Sequence, residues 1–205
     1  MKKVREEKFL GGMLLLFCLI FMAVPMNTEA AKLSKNKQKK LYGQAIAGGQ
    51  ITAKDLFYKN TVTFPVKYFT LIDVNQDGIY ELFITGSKRT GYEGTQGVEH
   101  NVFTIKGNKV VYYGTCYNYE PLHKTVRKVY YNKKYKGIIC QGHAYHVQCL
   151  AMVKMNKKYG FRMLYYTEAK EKPTAKYYTS KKNIKVYSYR SNTRANRKKY
   201  LKYSK

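Results

Sequence analysis

The chain has 205 residues, enough for one ordinary domain with a real core and too few for two comfortable ones. Its formal charge is +27, and without the four basic and three acidic residues of the first thirty, 35 Lys+Arg stand against 9 Asp+Glu. Such a surface attracts polyanions and repels other cations, over a range set by salt, and acids are scarce.

Residues 1–30 read as a secretory signal. Residues 1–8 (MKKVREEK) are short and basic, and residues 9–24 (FLGGMLLLFCLIFMAV) form an uncharged apolar run. Pro25 breaks the run, and Thr28 and Ala30 place small residues three and one before a cut after Ala30. Sixteen apolar residues fall short of the roughly 20 that span a bilayer, which favours cleavage over an anchor. Leu16 and Phe17 ahead of Cys18 lack the small residue that lipid attachment requires. The expected location is secreted, at the cell envelope, with residues 31–205 as a single β-rich domain and no transmembrane span after cleavage.

In chain order, a helix is expected over residues 31–50, with Ser34 as its N-cap and Gly48-Gly49 as its stop. A second short helix is expected from Thr52 (TAKDLFYKN). From Val66 tyrosine and β-branched residues dominate and turn residues recur every eight to twelve positions. Strands are predicted at 66–72, 80–85, 100–106, 109–116, 125–131, 137–141, 146–155 and 161–167. Short connections favour an antiparallel meander. A basic linker (KEKPTAK) leads to a last strand at 184–189, and Asn192 is the expected cap of a terminal helix. The class is therefore α+β: a mainly antiparallel β-meander of about eight or nine strands, with an N-terminal and a C-terminal helix.

Residues 73–81 (DVNQDGIYE) hold three of the acids and no Lys or Arg. Calcium takes six to eight oxygens from carboxylates, amides and carbonyls. Oxygen-bearing side chains at positions 1, 3 and 5 (Asp73, Asn75, Asp77) converge on the centre of a tight loop, and Gly78 at position 6 permits a positive φ. The Ile79 carbonyl and Glu81 complete the set. Three carboxylates without a cation repel one another, which argues for a structural calcium ion over a bare Asp-Gly turn. The loop is not a standard EF-hand, because Ile84 stands where position 12 needs a bidentate glutamate.

The stretch 69–84 (FTLIDVNQDGIYELFI) resembles the D-x-[DN]-x-D-G-x-x-E-L loop of secreted bacterial proteins. Similar loops occur in the FG-GAP repeats of integrin-type β-propellers and in dockerin-like calcium loops. It is most similar to single-domain exported proteins of Gram-positive gut bacteria that pair a signal peptide with one such loop and a Tyr-rich meander, many of them without an assigned function. The resemblance implies that Asp73, Asn75, Asp77 and Glu81 are ligands, with Ile79 ligating through its backbone. Tyr80 stands where proline is usual, and the loop occurs once, which excludes a complete propeller.

Cys140, His143, His146 and Cys149 are spaced by threes, as zinc ligands can be. On a hairpin turning at Ala144-Tyr145, however, residues three apart point to opposite faces. The same register sets Cys140 against Cys149, close enough for a disulfide. Disulfide, free thiols and zinc all stay open, and a longer loop would change the register. Cys116 with His123, and His100 with Glu99, lack a third group to orient a base and read as ordinary strand or loop residues. The 22 tyrosines read as sheet packing, and the absence of Trp weakens a sugar-stacking surface.

Arg194, Arg197, Lys198, Lys199 and Lys202, together with Lys205, make the terminal run the best local anion patch. The expected function is a secreted, non-catalytic, calcium-stabilised domain that binds at the cell envelope or to a polyanion such as teichoic acid, an acidic glycan or DNA. Two alternatives are a cell-wall or glycan hydrolase using carboxylates from distant strands (Glu93, Glu99, Glu120, Glu168) and an extracellular nucleic-acid binder.

Overall fold

The computed structural model describes residues 33–86, 89–90, 96–120, 128–144, 147–156, 158, 160–169 and 183–205. Contacts divide the chain into Met1–Lys32 and Leu33–Lys205, and every described residue lies in the second unit. The signal segment and the KEKPTAK linker lie outside the described residues. Among the described residues, no helix is long and apolar enough to cross a membrane.

Helix α1 (Lys35–Ala45) starts where expected: the Ser34 hydroxyl accepts the Lys37 N–H at 3.3 Å, giving a partner to one of the four donors a helix start leaves unpaired. The chain reverses at Gly49, whose φ of +77° a side chain would disfavour. Residues from Thr52 do not form the expected short helix. They belong to a hairpin, β1 (Gln50–Lys54) paired antiparallel with β2 (Thr61–Pro65). Burial alternates strictly along β1, with Ile51 and Ala53 inside, so a period of two overrides the helical reading. The buried Asp55 makes the turn, accepting the N–H groups of Phe57 and Tyr58 at 2.7 and 2.8 Å.

The remaining strands confirm an α+β fold with antiparallel sheets, parted into two larger sheets where a single meander was expected. In the six-stranded sheet, β3 (Tyr68–Ile72), β4 (Glu81–Thr85), β6 (Gln96–Lys106) and β7 (Lys109–Glu120) follow one another, with β5 (Arg89–Thr90) beside β6. The five-stranded sheet holds β8 (Lys128–Asn132), β9 (Gly137–Ala144), β10 (Val147–Asn156) and β11 (Gly160–Ala169) in consecutive pairing. The chain then returns: β12 (Ile184–Ser188) pairs with β8 in the five-stranded sheet, and β13 (Arg190–Ser191) pairs with β3 in the six-stranded one. Tyr189, buried between them, is the crossing point.

Alternation sends the side chains of the six-stranded sheet to two cores. Phe69, Leu82, Ile84, Phe103 and Ile105 meet Tyr42 and Ile46 of α1, Ile51 of β1 and Leu201 of α2 (Arg194–Leu201). Ile72, Phe83, Val102, Tyr113 and Cys116 meet Val129, Tyr131, Ile138 and Cys140 of the five-stranded sheet. Each fully buried side chain of this size contributes about 1.5–3 kcal/mol, so β4, buried along its whole length, is the centre of the fold.

Helix α2 is capped one residue later than expected: the Thr193 side chain accepts the Asn196 N–H at 3.3 Å. Asn192 turns inward instead, its amide donating to the carbonyls of Ile46 and Val66 at 2.8 and 3.1 Å. That bond joins the end of the chain to the end of α1.

Candidate metal-binding loop

The 73–80 loop joins β3 to β4, two strands paired from Tyr68–Thr85 to Ile72–Glu81. Gly78 has φ +83° and Gln76 φ +59°, so position 6 carries the left-handed turn its glycine permits, and position 4 shares it. Three side chains fold the loop on itself. Asp73 Oδ2 accepts the Gly78 N–H at 3.0 Å, Asn75 Oδ1 accepts the Asp77 N–H at 3.1 Å, and Asp77 Oδ1 accepts the Ile79 N–H at 2.7 Å. Asn75 Nδ2 donates to Asp77 Oδ2 at 2.8 Å.

Two elements clamp the loop from either side. From α1, the fully buried Gln38 donates to the Gly78 carbonyl at 3.1 Å and the Leu33 carbonyl at 2.7 Å, and accepts the Tyr80 N–H at 2.9 Å. Tyr42, one turn further along the same face, donates to the Tyr80 carbonyl. From β8, the Tyr131 hydroxyl donates to the Val74 carbonyl at 2.9 Å and accepts Gln76 Nε2 at 3.2 Å. Sequence reasoning missed all three residues. A Gln–Tyr pair four apart on a helix start is the one signal that could have drawn attention to Gln38 and Tyr42.

Glu81 is completely buried. Its Oε2 accepts the Val74 N–H at 2.9 Å, and its Oε1 accepts the Thr104 hydroxyl at 3.4 Å. Burial first, then the negative charges of Asp77 and Asp73, push its pKa from 4.5 up to about 8, against the lowering effect of its two donors. Asp73 Oδ1 is buried and has no hydrogen-bond partner among the described residues. Buried acceptors are nearly always paired, and an unpaired one costs about 1–3 kcal/mol.

Asp73, Asn75, Asp77, Ile79 and Glu81 therefore belong to one closed loop. Yet no three His, Cys, Asp or Glu side chains among the described residues are grouped so as to hold a metal ion. Convergence of three carboxylates is not what the loop presents. It presents mixed oxygen donors, one of them orphaned, in a negatively charged setting. A hard cation satisfied by carboxylate, amide and carbonyl oxygens fits that set.

The other predicted residues fare differently. The β9–β10 ladder closes at Ala144 and Val147, which sets Cys140 against Ala151 and Cys149 against Gly142. The expected opposition of Cys140 and Cys149 is therefore not formed, because the turn falls one residue later than Ala144-Tyr145 and moves each partner by two. Cys140 is a free, buried thiol. The side chains of His143, His146 and Cys149 lie outside the described residues, as do those of Glu93, Glu120, His123 and Glu168.

His100 and Cys116 are directly opposed on β6 and β7, and Tyr189 stacks on the His100 ring with its hydroxyl 2.7 Å from Nδ1. The trio invites a nucleophile–base reading, but its electrostatics run the wrong way. Burial lowers His100 to about 3, while a hydrogen bond with Cys140 and burial hold Cys116 well above its ordinary value. An activated thiolate needs the opposite shifts, so these residues are core.

In the terminal run, Arg194, Lys198, Lys199 and Lys202 are exposed. Arg197 is a correction to the predicted patch: it is buried, and its guanidinium donates to the Asn192 carbonyl and Oδ1, both at 3.1 Å, and to the Lys205 carbonyl at 3.2 Å. Its place at i+4 from Thr193 turns it toward the chain. Comparison of the chain with protein-family models, curated proteins and solved structures finds no match.

Proposed function

We propose that the chain is an exported, non-catalytic domain that takes one structural calcium ion in its 73–81 loop and presents a cationic surface to an anionic polymer at the cell envelope. The observation that supports the calcium reading most is the orphaned Asp73 Oδ1, beside a buried Glu81 whose charged neighbours, Asp77 and Asp73, are both negative. A divalent cation supplies the missing partner and cancels the repulsion. Asp73, Asn75 and Asp77 would hold it through side-chain oxygens and Ile79 through its carbonyl, with Glu81 contributing its charge from behind its bonds to Val74 and Thr104. Calcium supplies no reaction chemistry here; it fixes the β3–β4 connection that Gln38 and Tyr131 grip from α1 and β8.

Extracellular modules hold calcium with Kd near 10⁻⁴–10⁻³ M. At about 10 mM calcium such a site adds roughly 1.4–2.7 kcal/mol, or roughly 3–10 °C of Tm. The test compares melting in calcium and in chelator, for the native chain and for Asp73→Asn, which keeps an acceptor for the Gly78 N–H. Calcium should raise the Tm of the first and leave the second unmoved; equal melting of the native chain in both buffers overturns the reading.

The ligand part of the proposal rests on the charge and on the exposed Arg194, Lys198, Lys199 and Lys202. Binding to teichoic acid, an acidic glycan or DNA should fall steeply with salt as counterions are released. Replacing the four cations by glutamine should weaken it; undiminished binding would place the contact elsewhere on the chain. Preference among the three polymers separates a wall ligand from the nucleic-acid alternative.

A further inference from the structure

Two thiols that the calcium reading does not use meet in the core between the larger sheets. Cys116 lies on β7 opposite His100, and Cys140 lies on β9 opposite Ala151. β7 and β9 belong to different sheets and pack directly on one another. Both cysteines are part of one apolar cluster with Val102, Val129, Ile138 and Tyr189. They are 4 % and 8 % exposed, both are free, and Cys140 together with burial holds the Cys116 thiol well above its ordinary range.

We propose that Cys116 and Cys140 are a disulfide-forming pair that staples the six-stranded sheet to the five-stranded sheet when the chain folds in the presence of a disulfide-bearing oxidant. Stacked sheets stand about 10 Å apart, a gap that inter-sheet disulfides span in β-sandwiches. Two thiols buried in one cluster, on strands that pack on one another, need only close to the ~2.05 Å of an S–S bond. The pairing of Cys140 with Cys149 is less favourable, because Cys149 sits against Gly142 in the ladder.

The step balances by exchange. One cysteine gives up its proton, and its thiolate attacks a sulfur of the oxidant disulfide, expelling one thiolate. The second cysteine, deprotonated in turn, attacks the mixed disulfide and expels the first sulfur's partner as a second thiolate. Two cysteine thiols are oxidised, one oxidant disulfide is reduced, and the two protons pass to the expelled thiolates. Once the core has closed, the neighbouring Cys140 and burial keep Cys116 protonated, so exchange belongs to folding and not to the finished fold. The inference is independent of calcium and of where the chain resides.

The test refolds the denatured chain in a mixture of oxidised and reduced glutathione, followed by intact mass and peptide mapping. A companion variant, Cys18→Ser with Cys149→Ser, retains only Cys116 and Cys140 and leaves the described core untouched. Both proteins should lose the mass of two hydrogens, yield a linked pair of peptides containing Cys116 and Cys140, and melt roughly 6–12 °C above their reduced forms, as expected for a bond closing a loop of about two dozen residues. A Cys140–Cys149 link, glutathione adducts at Cys116 or Cys140, or free thiols in refolded native protein would each overturn the proposal. So would linkage with an unchanged or lower Tm, since the staple would then not match the native packing.

Discussion

Acidification should unfold this protein partly by forcing a proton onto His100. The ring is 1 % exposed, stacks on Tyr189, meets Phe83 edge-on and shares Nδ1 with the Tyr189 hydroxyl. Among the described residues, the titratable groups facing it are Tyr189 and, across the ladder, Cys116; neither supplies a negative charge at neutral pH. Burial therefore lowers its pKa from 6.5 to about 3. The unfolded chain takes the proton first, so this contribution is fully present above pH 6.5 and is lost as pH falls from there toward 3. The gap is worth about 5 kcal/mol in full at about 1.36 kcal/mol per unit, and roughly 2 kcal/mol of it is gone by pH 5. Glu81 acts with the opposite sign. Raised from 4.5 to about 8, it contributes stability below pH 4.5 that is lost as pH rises through 8, so the total curve mixes the two. Urea unfolding of the native chain and of His100→Gln, at pH 7.5 and pH 5 in the same calcium concentration, separates them. The native chain should lose about 2 kcal/mol more than the variant between those pH values. Equal losses would refute the claim that His100 is held neutral.

Glu81→Gln keeps an oxygen for the Val74 N–H while removing the buried charge, so in chelator at pH 8 it should be more stable than the native chain, and its gain on adding calcium should be smaller; urea midpoints in both buffers check this. Gln38→Ala strips partners from Gly78 and Tyr80 and should cost roughly 2–4 kcal/mol in the same assay. Gly43→Ala should destabilise by about 1–3 kcal/mol although alanine favours helices, because a Cβ there would lie 2.4 Å from Tyr203 Cβ. Gly48→Ala meets nothing within 4 Å and should be neutral or slightly stabilising by thermal melt.

What the sequence disclosed was local. Ser34 and Gly48-Gly49 bracket α1, β-branched and tyrosine runs mark the strands of both sheets, and Asp73-x-Asn75-x-Asp77-Gly78 marks its loop, because caps, periodicity and turn chemistry act over a few residues. What escaped it depends on partners far along the chain. Gln38 reaches Gly78 and Tyr80, Tyr131 reaches Val74, and Asn192 reaches Ile46; apart from the four-residue spacing of Gln38 and Tyr42, nothing nearby distinguishes these polar residues from solvated ones. Arg197 read as one more surface cation beside Lys198 for the same reason. The Cys140 register failed on a turn displaced by one residue, which moves every cross-strand partner by two. Thr52-Ala53-Lys54 misled because three residues fit either period, and only burial of Ile51 and Ala53 decides between them.

Calcium binding by the metal-free chain, measured by calorimetric titration at neutral pH, tests the central claim most directly. The native chain should take up one ion with millimolar or tighter affinity, and Asp73→Asn should take up none while keeping the same circular dichroism. No uptake by the native chain at about 10 mM calcium, or equal uptake by the variant, would contradict the account.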